Sequence, residues 1–190
     1  MSNSVAEVLL DFLKDVSTVL EKVPESSFDL RSWVRHNPGG CGTVACAIGW
    51  CIQDETFSNK WGVEIEAAAP MLETGTETYY GFSALIASIE KKSNPSSVRG
   101  SIVHNTLIYL FHDKYYKSFR DQGYLMSELS AVKWRLSCVI EVISNLIKLG
   151  PEDGQYGKVF SQPMSYGFAS LEQDMDSLFN IQYPTPYKEK

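Results

Sequence analysis

The chain has 190 residues, of which 44% are hydrophobic and 21% charged, an ordinary globular balance that excludes wholesale disorder. Its net charge of −6 argues against a broad nucleic-acid footprint, which needs clustered Lys and Arg. The densest basic stretch, Lys114 to Arg120, interleaves Tyr115, Tyr116 and Phe119 but is flanked by Asp113 and Asp121, and reads as a solvated helix end.

The N-terminal stretch lacks a basic region followed by a long apolar core, so no signal peptide is expected. Residues 4–23 predict a helix. Val5, Val8, Leu9, Phe12, Leu13, Val16, Val19, Leu20 and Val23 recur at steps of three and four, with acidic and basic residues between them. Ser4 with Glu7 forms a capping-box pattern, and Pro24 ends the run. The stretch ESSFDLRSWV suggests a short helical turn, capped by Ser27 or Asp29, with Phe28, Leu30, Trp33 and Val34 inward.

A glycine-rich loop over 37–42 follows. Thr43 is the expected cap of a helix over 44–53, apolar all round and therefore buried. Residues 54–79 read as loop with short helical pieces. Helices are expected over 80–92 and 97–112, separated by the SNPSS breaker. The clearest periodicity lies over 127–149, where Leu129, Val132, Leu136, Val139, Ile140, Ile143, Leu146 and Ile147 form one stripe. Ser127 caps its start, and Gly150-Pro151 stops its end. Trp134, Cys138 and Val142 lie beside that stripe and can supply a second one for self-association.

From 151 to 190 the composition turns to Gly, Pro, Ser and Tyr. One short amphipathic helix, at 170–179, carries Leu171, Met175, Leu178 and Phe179 on one face, ready to dock on the parent domain or on a partner. The expected architecture is mainly α: a single compact helical domain over 1–150, with a buried central helix, and an irregular tail over 151–190. No run approaches the ~20 apolar residues that span a bilayer. The expected setting is the cytoplasm.

Chemistry concentrates at NPGGCGTVACAIGW, residues 37–50. Cys41, Cys46 and Cys51 fall within eleven residues, and steps of five turn successive side chains roughly 140° around a helix, so they do not converge on a metal. No metal or cofactor is expected, and in a reducing compartment the thiols stay free. A helix start offers unpaired N–H groups and partial positive charge, which lower a thiol's pKa and attract anions.

Three readings of this corner stand side by side. In one, Arg35, His36, Gly40, Cys41, Gly42 and Thr43 bind a small anionic ligand, with Arg31 close by. In another, Cys41 is a nucleophile and His104 its base, with His112 and His36 as other bases. In the third, Gly39, Gly40, Gly42, Ala45, Ala47 and Gly49 permit close packing, and the cysteines act as small hydrophobes beside Trp33 and Trp50.

GGCGTVAC resembles, in outline, the papain-like peptidases, in which a Gly-rich loop leads to a cysteine opening a buried helix. That pattern places Trp after the nucleophile and Gln before it. Here no Gln precedes within the loop, Val44 follows Thr43, and Asn37 is the stand-in for the Gln.

A wider pattern joins Phe28-Asp29-Leu30 and Trp33 to Cys41-Gly42-Thr43, Cys46 and Gly49-Trp50, with Gly81-Phe82, Leu110-Phe111 and Tyr115 further on. It resembles a group of small bacterial and phage proteins without an established activity. The resemblance covers about residues 10–116 and implies a small helical fold, a phage or bacterial origin and no reaction. With the acidic charge, it leads to a non-enzymatic binding protein as the expected function. Such a protein would inhibit a host factor or serve phage assembly through a protein partner.

Overall fold

The computed structural model describes residues 4–30, 34–36, 43–62, 86, 88, 89, 91–93, 101–111, 126–150, 175 and 177–179, with the side chains of 34–36, 43–45, 101 and 104 excepted. Within them the fold is mainly α. The elements in chain order are helix α1 (Val5–Leu20), a 3-10 turn (Glu25–Ser27), strands β1 (Val34–His36) and β2 (Thr43–Ala45), then helices α2 (Ala47–Gln53), α3 (Glu55–Trp61), α4 (Ser101–Phe111) and α5 (Glu128–Leu149). Helical backbone also occurs at residues 86, 88, 89, 91 and 92.

α1 forms as its pattern dictates. Ser4 Oγ accepts the Glu7 N–H, and the Glu7 carboxylate accepts the Ser4 N–H at 2.7 Å, so the capping box is closed. Val5, Val8, Leu9, Phe12, Leu13, Val16, Val19 and Leu20 are all buried. Each fully buried side chain of this kind contributes about 1.5–3 kcal/mol of transfer free energy. The helix stops three residues short of the expected Val23. The Lys22 and Val23 N–H groups bond to the carbonyls of Val19 and Leu20, a tightening into 3-10 geometry. Pro24 disfavours helical backbone at the residue before it, which explains the early stop.

α5 packs along α1 and also contacts α4. Ser127 caps it by accepting from the Ser130 N–H at 3.1 Å. Gly150 ends it at φ 87°, ψ 167°, and its N–H bonds to the Leu146 carbonyl. The positive φ suits glycine, but the ψ lies outside the left-handed helical well expected from the sequence. Of the expected inward stripe, Ile140 and Ile147 are half-buried and the other six residues are buried. Arg135 is buried as well, and its guanidinium lies 4.8 Å from the Tyr109 ring centroid on α4.

The region after the 3-10 turn departs from expectation. Strand signals are weak in this sequence, yet residues 34–36 and 43–45 pair antiparallel, with Val34 opposite Ala45, Arg35 opposite Val44 and His36 opposite Thr43. The expected helix over 44–53 therefore begins only at Ala47, and its cap is Cys46 rather than Thr43. Val34, Thr43 and Val44 are β-branched residues that suit a pleated ribbon, and the pairing satisfies their backbone groups locally. The reading of a buried helix here holds for the shorter span: Ala47, Ile48, Gly49, Cys51 and Ile52 are buried in α2.

α2 runs into α3 through Asp54, whose side chain accepts the Phe57 N–H at 3.0 Å and caps the second helix. Gly62 closes α3 in the left-handed conformation at φ 67°. Phe57 and Trp61 point inward against Phe12 of α1, with ring centroids at 5.5 and 5.1 Å and edge-to-face angles of 67° and 80°. On the rim of that cluster, Lys60 pairs with Asp11 at 3.0 Å and Asp15 at 2.7 Å.

α4 is buried on more than one face. Ile102, Val103 and every residue from Thr106 to Phe111 are buried. Met175 and Phe179 join the same core cluster, with Leu178 packed against it, so these residues of the expected amphipathic segment are part of the core. Leu171 lies outside the described residues.

Candidate functional site

The described part of the corner, from residue 43 to 50, divides between strand β2 and the start of α2. Of the residues expected to bind a ligand, Arg35 and His36 lie on β1 and Thr43 on β2, with His36 and Thr43 at paired positions. Gly40, Cys41 and Gly42 lie outside the described residues, as do Arg31 and Asn37. His104 falls within α4, but its side chain is not among those described; His112 lies outside the described residues.

The helix start that motivated an anion site is displaced by three residues, its cap moving from Thr43 to Cys46. Thr43 belongs to a strand and is not a helix cap, so the helix-terminus charge cannot act there. The cap is a thiol: Cys46 Sγ accepts the Gly49 N–H at 3.4 Å. Burial pushes the Cys46 thiol up to about 11, against the N–H bond from Gly49 that favours the thiolate. Burial also raises Cys51 well above the ordinary thiol value, and raises Cys138. At all three positions burial works against the thiolate, the opposite of the environment that activates reactive thiols. α2 has only seven residues, and the Cys46 side chain already occupies its first turn.

Among the described residues, several of the wider pattern nevertheless lie together. Leu30, Cys46, Leu110 and Phe111 are buried in the core cluster, and Phe28 and Trp50 pack against it. The Trp50 indole N–H donates to the Ser27 carbonyl at 3.1 Å, joining the Gly49-Trp50 end of the pattern to its Phe28-Asp29-Leu30 end. The Leu30 N–H donates to the Glu128 carboxylate at 3.2 Å, which fastens the same segment to α5. Glu25 completes the fastening by accepting the Ser127 and Ser130 hydroxyls at 2.8 and 3.1 Å. Those two bonds hold the Glu25 carboxyl below the usual carboxylate range. What these residues do together is physical: they clamp the 3-10 turn between α2 and α5.

A second line of α5 lies between its buried face and solvent, with Trp134, Cys138 and Val142 packed against the edge of the core. Trp134, Cys138 and Val142 are half-buried, Asn145 is exposed, and Leu149 is 58% exposed. Cys138, Val142, Asn145 and Leu149 follow steps of four, three and four along one line of the helix. Among the described residues Leu149 is the exposed large hydrophobic side chain.

Arg135 is the polar residue that the sequence reading passed over. Its signal was present, because it lies three residues after Val132 and four before Val139, on the buried face. Its charge concealed that placement.

Comparison with known families, with curated proteins and with solved structures finds no match. Among the described residues, no helix is long and apolar enough to cross a membrane.

Proposed function

We propose that this is a non-enzymatic binding protein, of phage or bacterial origin, that acts by capturing a protein partner through the second line of α5. The observation that carries the reading is the line Cys138, Val142, Asn145 and Leu149, which keeps helical spacing, with Cys138 and Val142 half-buried against the core and Leu149 58% exposed. Single exposed apolar residues are common on protein surfaces, but an aligned series ending in an exposed Leu suits helix recognition. The phage or bacterial origin rests on the resemblance at Phe28-Asp29-Leu30, Cys41-Gly42-Thr43, Cys46 and Gly49-Trp50. Inhibition of a host factor and service in phage assembly are the two roles that fit such a protein.

The test is a photo-crosslinker at position 149 of the full chain, expressed in bacteria, with one at exposed Ser137 as the control. A discrete cross-linked partner at 149, lost when Val142 is changed to Lys, supports the reading. Equal and diffuse labelling from both positions overturns it. A product at twice the chain's mass identifies the partner as a second copy.

A further inference from the structure

We draw no further inference here: the strongest candidate, the buried Arg135 stacked on Tyr109 in the interface between α4 and α5, carries nothing because the guanidinium's other contacts lie outside the described residues, so nothing there distinguishes a ligand site from a structural ion pair.

Discussion

Trp61 donates its indole N–H to the Asp15 carboxylate at 2.8 Å, across 46 residues of sequence. The same carboxylate oxygen takes the Lys60 ammonium at 2.7 Å. One acidic side chain on α1 thus satisfies the buried indole and anchors the end of α3. Burial disfavours the Lys60 charge, but hydrogen bonds to Asp15 and Asp11 outweigh it and raise the Lys60 pKa.

Trp61→Ala should therefore be among the most damaging substitutions in the chain. It removes a ring that packs edge-on to Phe12 and leaves a large cavity, at a cost of about 3–5 kcal/mol. Asp15→Asn keeps an acceptor for the indole and loses only the attraction to partly exposed Lys60, so it should cost about 1 kcal/mol or less. Urea unfolding of both variants checks the order. Equal losses would show that the carboxylate charge, not the ring packing, dominates.

Thiol accessibility gives a second prediction. In the native protein near pH 7, Cys46 and Cys51 should resist iodoacetamide, and Cys138 should react more slowly than a free thiol. Peptide mass spectrometry over a time course reads all four cysteines. Fast labelling of Cys46 in the folded chain would contradict its burial. Fast labelling of Cys41 alone would revive the nucleophile reading and count against the proposed function.

Asp54 caps α3, and its carboxyl lies below the usual range because of the Phe57 N–H bond, with Lys22 adding at 3.3 Å. A carboxyl depressed in the folded state adds stability above its unfolded pKa and loses it as pH falls through the folded value. Asp54→Asn preserves a good capping side chain without the charge. The variant should be less stable than the parent at pH 7, and the gap should close below about pH 4. Asp54→Ala should cost about 1 kcal/mol, within the range seen for lost caps. Thermal melts from pH 7 to pH 3 measure both, and a gap that stays constant with pH would rule out the charge contribution.

The stacking of Arg135 on Tyr109 is open to a double-mutant cycle. A cation over an aromatic face out of water is worth about 2 kcal/mol. Tyr109→Leu, Arg135→Met and the double variant should show a coupling of about 1–2 kcal/mol in chemical unfolding. Strict additivity would mean that the ring acts only as apolar filling.

Much of the helical framework was legible in the sequence by itself. Ser4 with Glu7, and Ser127 with its following stripe, announce α1 and α5, because capping and the 3.6-residue period are local properties. The Asp54 cap of α3 was legible in principle, since Asp stands directly before Glu55, but it was submerged in a region rich in turn-formers.

Only the tertiary structure decided where α2 begins. The antiparallel pairing of 34–36 with 43–45 is a contact between separate segments, and it took Thr43 and Val44 from the helix into a ribbon. Packing likewise placed Arg135 in the interior and recruited Met175 and Phe179 from the tail into the core. The physical reason is common to all three. Periodicity states which face of an element seeks burial, whereas the partner that covers it, and any polar group carried inside, is set by segments distant along the chain.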